Sequence, residues 1–328
     1  MSKMNCIAAA LAALTVGVAA VPAHAADDFP SKPITVLVGF APGGPTDAIG
    51  RVVFRRVSEL LGKPVIIENK PGAGGNIASQ ELVRAKADGY TLLYAASSMA
   101  TATALYHRDD LNPKTEMTTA GCSVAVPLLL LTARKVGKAD AASFFQQMQG
   151  KPGSYFLGSS GTGSMDHLVA LDIANRLKTS FQHVPYRGNG PALTDVASDN
   201  VDFMYSGAFN SALPFIQSGQ VTALAVTSAH RSPSLPNVPT LSESVSGLEG
   251  YEAGTWQVLM APKGTPAAVL DKLNNALQEA LKDPEVQKSL KFQAAEPMGL
   301  DRAECRAFVG KEFDRWSATI GELGIKPD

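Results

Sequence analysis

Two short segments carry the residue types that hold an anion. Phe40-Ala41-Pro42-Gly43-Gly44-Pro45-Thr46-Asp47 and Ser159-Ser160-Gly161-Thr162-Gly163-Ser164 each follow a short apolar run and precede a helical pattern. A Gly/Ser/Thr-rich turn at a helix start presents backbone N–H groups and the positive end of the helix dipole, and together these attract anions. Small residues let a ligand approach the backbone. Neither turn contains Lys or Arg, so the donors are neutral. Singly, each turn is equally a tight connection of the kind any α/β protein needs. Two of them in one chain point toward binding, because ligands of open sheets sit beyond the carboxyl ends of the strands.

Motifs of catalysis fail one by one. A nucleophile elbow needs G-x-S-x-G, and Gly158-Ser159-Ser160-Gly161 misses it because Thr162 stands two after Ser160. Gly161-Thr162-Gly163 begins a dinucleotide fingerprint, but Asp166 occupies the last glycine position. Gly72–Gly75 is not followed by the Gly-Lys-Ser/Thr of a phosphate loop. Beyond the leader described below, His107, His167, His183 and His230 lie at no metal-binding spacing and read as surface, capping or packing residues. The chain is therefore read as non-enzymatic, with no cofactor and no metal. An exported α/β hydrolase or lyase is the rival class.

The two turns need a scaffold, and the surrounding pattern supplies one. Ile34–Phe40 is a β-branched run that reads as a strand buried on both faces. Thr46 or Asp47 can cap the helix that follows, and Gly62 sits where a C-cap belongs. Val65–Glu68 and Thr91–Ala95 read as further strands, with a helix through Ile77, Leu82 and Val83 between them. Val124–Thr132 reads as one more strand, and a second strand–helix series runs from Tyr155 to Thr227. Thr240 with Glu243 forms a capping box, Asp283-Pro284-Glu285 restarts a helix, and the last helix holds Phe308, Phe313 and Trp316. Alternating strands and helices at these lengths make mostly parallel sheets flanked by helices.

Composition narrows the partners. The chain has 328 residues, 45% of them hydrophobic, and a formal net charge of −1, which excludes a disordered chain and argues against nucleic acid. Met1–Ala25 reads as a secretory signal peptide: Lys3, an apolar run to Val21, then Pro22 and an Ala23-His24-Ala25 cleavage site. Cleavage leaves 28 basic against 30 acidic residues, and leaves Cys122 and Cys305 as the cysteines. Export permits these two to pair. Their spacing does not show that they meet, and a fold of this size does not require the bond.

Several strings, in order along nearly the whole chain after the leader, resemble the periplasmic receptors of tripartite tricarboxylate transporters, the Bug family. They are Phe29-Pro30-Ser31-Lys32-Pro33-Ile34, Phe40-Ala41-Pro42-Gly43-Gly44 with Asp47, Val65-Ile66-Ile67-Glu68-Asn69-Lys70-Pro71-Gly72-Ala73-Gly74-Gly75-Asn76, and Ala87-Asp88-Gly89-Tyr90-Thr91-Leu92. The second half adds Ser159–Ser164 with His167-Leu168, Val184-Pro185-Tyr186-Arg187-Gly188, Leu224-Ala225-Val226-Thr227-Ser228 and Leu235-Pro236-Asn237-Val238-Pro239-Thr240.

The resemblance implies a type 2 periplasmic-binding-protein clamshell. Residues 26–127 and 251–328 would form one lobe and residues 128–250 the other. It implies a monomer in the periplasm that captures a small carboxylate for integral-membrane transporter subunits or a sensor. The ligand residues it implies are Phe40, Ala41, Gly43, Gly44, Asp47 and Ser97 on the first lobe. On the second they are Ser160, Gly161, Gly163, Ser164, His167, Tyr186, Gly188 and Gly207. Asp47 is expected to fix its turn and not to touch an anionic ligand. Asp110–Thr119 and Ser206-Gly207-Ala208-Phe209 depart from the family pattern, which leaves the identity of the carboxylate open.

Overall fold

The computed structural model describes residues 29–137 and 139–326. The expected leader and its cleavage site lie outside the described residues. The first half of the chain runs β1 (Ile34–Val38), α1 (Pro45–Leu61), β2 (Val65–Asn69), α2 (Asn76–Arg84), β3 (Thr91–Ala96), α3 (Ser98–Leu105) and β4 (Met117–Pro127). It continues with β5 (Leu129–Ala133), α4 (Ala141–Gly150), β6 (Phe156–Ser159), α5 (Met165–Arg176), β7 (Gln182–Pro185), α6 (Asn189–Ala197), β8 (Phe203–Ser206), α7 (Phe209–Gln217) and β9 (Val221–Val226). After α8 (Leu241–Ser244) come β10 (Gly254–Pro262), α9 (Ala267–Lys282), α10 (Pro284–Phe292), β11 (Glu296–Pro297) and α11 (Arg302–Leu323).

These strands form two sheets, ordered β11-β4-β10-β3-β1-β2 and β7-β6-β8-β5-β9. β1 pairs in parallel with β2 and β3, and β6 pairs in parallel with β7 and β8. Strand direction is mostly parallel within each sheet, as the sequence predicts. β10 runs against β3 and β4, and β5 runs against β8 and β9. Each of these two reversed strands is the one that arrives by crossing from the other sheet. The two-residue β11 also runs against β4.

Both faces of each sheet are covered, so the buried strands are apolar without alternation. On β1, Val36 and Val38 face one core while Leu37 faces another. On β5, Leu130 faces one core and Leu129 and Leu131 the other. Burying each such side chain stabilises by roughly 1.5–3 kcal/mol.

Two elements differ from the sequence reading, and one pairing it left open is decided. Val124–Thr132 is not one strand: β4 begins at Met117, and Pro127 and Leu128 carry the chain from one sheet to the other. No polar turn marks the switch because nearly every residue of both strands is buried. Thr227 closes the crossing instead. Its Oγ accepts Leu128 N–H at 2.8 Å and donates to the Ala253 carbonyl at 2.6 Å, tying both crossovers together. Next, α3 has no periodic signal in Ser98–Leu105, since six of its eight residues are buried. Last, the Cys122–Cys305 pairing that the sequence left open is made, with Cα atoms 5.4 Å apart, joining β4 to α11. The capping box at Thr240 and the Asp283 cap form as the sequence predicts.

Candidate functional site

The residues singled out in the sequence collect at the carboxyl ends of adjacent parallel strands. Gly39–Gly44 follows β1 and Ser97 follows β3. Ser160–Ser164 follows β6, Tyr186–Gly188 follows β7 and Gly207 follows β8. They form two groups, one on each sheet.

The turn after β1 is fixed by Asp47. The helix is capped by Gly44 and begins at Pro45, so neither Thr46 nor Asp47 is the N-cap; Asp47 is the third helical residue. Its carboxylate is 2% exposed and reaches back over the turn. Oδ2 accepts Gly43 N–H and Arg51 Nε–H, and Oδ1 accepts an Asn69 amide hydrogen, each at 2.9 Å. Asn69 also donates to the Phe40 carbonyl at 2.9 Å. Burial acts against the ionised form, but these bonds from Arg51, Gly43 and Asn69 outweigh it and hold the carboxyl down to about 2. Gly43 has φ +84° with open space where a side chain would stand.

The turn after β6 repeats this construction. Ser164 is the N-cap of α5, Gly163 has φ +74°, and the third helical residue, His167, accepts Gly163 N–H at Nδ1, 3.2 Å away. Asp166, 4% exposed, adds a second tie by accepting Ser160 N–H and Ser160 Oγ–H, each at 2.6 Å. His167 stacks on His183 with ring centroids 3.7 Å apart, and His183 Nε2 lies 2.6 Å from Ser159 Oγ. Gly161 N–H donates to that same hydroxyl at 3.1 Å. Sequence reading missed Asp166 and His183. The first appeared only as the residue that spoils a dinucleotide motif, and the second is brought in by a neighbouring strand.

Beside these turns, Tyr186 donates its hydroxyl hydrogen to Asp195 at 2.6 Å, and burial together with Asp195 pushes it up to about 12. The Tyr186 carbonyl lies 3.6 Å from where a Cβ on Gly161 would stand. Gly207 abuts Leu128 of the crossover. Ser97 is buried, while Ser98 lines a small cavity with Gly39, Phe40, Gly74 and Gly75. The Gly74–Gly75 turn after β2 is a further part of the first group. Gly39 passes so close to it that a Cβ there would stand 2.7 Å from Gly75 Cα.

The N–H groups of Gly43, Ser160, Gly161 and Gly163 already donate within their own turns. The donors left for a ligand are the first-turn N–H groups of α1, α3 and α5, which a helix cannot satisfy internally. α3 also links the groups. It starts at Ser98 beside the first turn and ends at Leu105, which packs on Gly163, about 10 Å further on. A groove of about 660 Å³ lies elsewhere, between α11 and the crossovers, and contains none of these turns. Among the described residues no group of His, Cys, Asp and Glu is placed to hold a metal, and no helix is long and apolar enough to cross a membrane.

Residues 49–325 match the family described as tripartite tricarboxylate transporter family receptor. The chain is 33% identical to protein BugT of Bordetella pertussis over 318 residues, 95% of each. Among solved structures it is similar to the periplasmic binding protein BugD, at 32% identity and a TM-score of 0.73, covering 92% of this chain and all of that one. It is also similar to MatC of Rhodopseudomonas palustris with bound malate (31%, TM-score 0.73, 89% of this chain and 100% of that one). Rpa4515 of the same organism, solved with adipate, is 30% identical with a TM-score of 0.77, over 92% of this chain and 100% of that one.

Proposed function

The chain belongs to the tripartite tricarboxylate transporter receptor family, and on that premise we propose that it captures a small dicarboxylate between its two lobes in the periplasm. The observation that carries this is the pair of like-built turns. Each opens a helix at the carboxyl edge of parallel strands, and each offers only neutral first-turn donors. One carboxylate at each turn would engage both sets of donors at once. Malate and adipate, bound by two solved relatives, are molecules with a carboxylate at each end.

In this reading the ligand residues are Phe40, Ala41, Gly43, Gly44, Asp47 and Ser97 on the first lobe. On the second they are Ser160, Gly161, Gly163, Ser164, His167, Tyr186, Gly188 and Gly207. Asp47 and His167 shape the turns; the others line them. The lobes are residues 26–127 with 251–328, and residues 128–250. The receptor is a monomer without enzymatic activity, exported with cleavage after Ala25, and it delivers its ligand to membrane subunits or a sensor.

A melt screen over C4–C6 dicarboxylates, monocarboxylates and amino acids tests the reading. A binder stabilises the fold by about RT ln(1+[L]/Kd). Dicarboxylates alone are expected to raise the melting temperature. No response to any carboxylate, with protein shown ligand-free by native mass spectrometry, overturns it. Intact mass of the periplasmic protein tests the cleavage site.

A further inference from the structure

α11 packs into the cores of both sheets. Cys305 and Val309 in its first half are buried in the core of the first sheet, where Cys305 is bonded to Cys122. Trp316 and Ile320 in its second half are buried in the core of the second. Glu312 stands between them, 8% exposed. One carboxylate oxygen, Oε2, accepts both Trp256 Nε1–H at 3.1 Å and Trp316 Nε1–H at 2.9 Å. These are the two tryptophans of the chain.

The link extends to both candidate ligand turns. On one side, the Trp256 carbonyl accepts Ser97 N–H at 2.9 Å, at the end of β3. On the other, Arg315 lies 3.7 Å from Glu312 and donates to Asp172 at 2.8 Å. Asp172 sits on α5, the helix that opens at the second turn. We infer that Glu312 is a positioning residue: through Trp256 and Arg315 it sets where the two ligand turns stand relative to each other. A buried carboxylate with two indole donors is costly to separate from them, since each group left unpaired loses its hydrogen bond without regaining water. The link therefore persists while the lobes turn about it. Both crossovers and α11 then define the pivot, and the indole emission of the protein reads that pivot directly.

Spin labels at Arg55→Cys on α1 and Lys151→Cys after α4, both exposed, place one probe on each lobe. Distance distributions are measured without ligand in the parent, in Glu312→Gln and in Trp256→Phe. Glutamine keeps one acceptor oxygen and loses the charge; phenylalanine removes one donor. Both variants are expected to widen the inter-lobe distribution, Glu312→Gln by about twofold, and Glu312→Gln, which keeps both indoles, to shift or broaden the indole emission. Where malate or adipate binds the parent, affinity falls about threefold to tenfold, because a smaller fraction of molecules holds both turns in register. Cooperatively melting variants with the parent's distribution, or with a wider distribution and unchanged affinity, overturn the inference. Should Glu312→Gln fail to fold, Trp256→Phe decides by itself. The distance measurement uses no ligand, so it fails or succeeds independently of the proposed function.

Discussion

Asp47 and His167 occupy the same place in two copies of one turn. Each is the third residue of its helix, and each accepts the N–H of a left-handed glycine four residues earlier, Gly43 at 2.9 Å and Gly163 at 3.2 Å. One acceptor is an ionised carboxylate and the other an imidazole nitrogen. The two turns thus share geometry but differ in charge, and the first depends on Asp47 staying ionised.

That dependence has a measurable pH signature. Asp47 is held at about 2 against an ordinary 3.8. Its folded value lies below its unfolded one, so its contribution is complete above about pH 4 and is lost as pH falls toward about 2. A shift of this size corresponds to about 2 kcal/mol. Asp47→Asn should lower the unfolding free energy at neutral pH by that order and flatten the parent's loss across the acid window. Urea unfolding at neutral pH and at steps down the acid range checks it. Equal stability of variant and parent at neutral pH would contradict the role.

Gly43 and Gly163 look interchangeable in sequence, and the structure separates them. A Cβ on Gly163 would stand 2.5 Å from Leu105 Cδ2, whereas one on Gly43 meets nothing within 4 Å. Both carry positive φ, which costs a side chain about 1–2 kcal/mol. Gly43→Ala should therefore cost little more than that and act mainly on ligand affinity. Gly163→Ala should cost roughly 2–5 kcal/mol, since overpacking adds to strain. A double-mutant cycle with Leu105→Ala should show a favourable coupling of about 1 kcal/mol or more. Additive costs would show that Leu105 does not oppose the side chain.

Much of this was legible in residue order. β1, α1, the Gly62 cap and the Thr240 capping box follow from local signals that the structure keeps, because strand burial and cap chemistry act over a few residues. The β4–β5 switch was not legible: Val124–Thr132 is apolar throughout, and only pairing partners far along the chain divide it. Nor was α3, whose Ala and Thr residues are buried on nearly every side and leave no amphipathic contrast. At the site, the turn residues and the turn-fixing role of Asp47 were visible, and the chemistry of the second turn was not. Glycine and serine content announces an open backbone, but Asp166 and His183 act through contacts that spacing alone does not reveal.

The Cys122–Cys305 bond closes a separation of 183 residues and ties β4, which leads into a crossover, to α11. Both cysteines are fully buried. Replacing both with alanine should cost about 2–5 kcal/mol, the usual loss for a native disulfide. Guanidinium unfolding of the parent with and without reductant in the unfolded state, beside the double variant, measures it. A variant as stable as the oxidised parent would mean that packing alone holds α11.

The donors at the two turns are neutral, and this makes a claim about salt. An ion pair in the site would weaken as the Debye length shrinks, whereas helix-end N–H groups in contact with the ligand are screened much less. Of the nearby cations, Arg51 is held by Asp47 and Arg108 by Asp110. Arg187, between Tyr186 and Gly188, is exposed and forms no ion pair among the described residues, so it is the side chain best placed to prove the account wrong. Affinity for a dicarboxylate that passes the melt screen should fall by no more than about threefold from about 0.02 to 0.5 M salt. Arg187→Gln should leave it within about twofold. Calorimetric titration across that range checks both. A steep salt dependence that Arg187→Gln abolishes would place a guanidinium on the ligand and overturn the neutral-donor account, while the fold and the paired turns would stand.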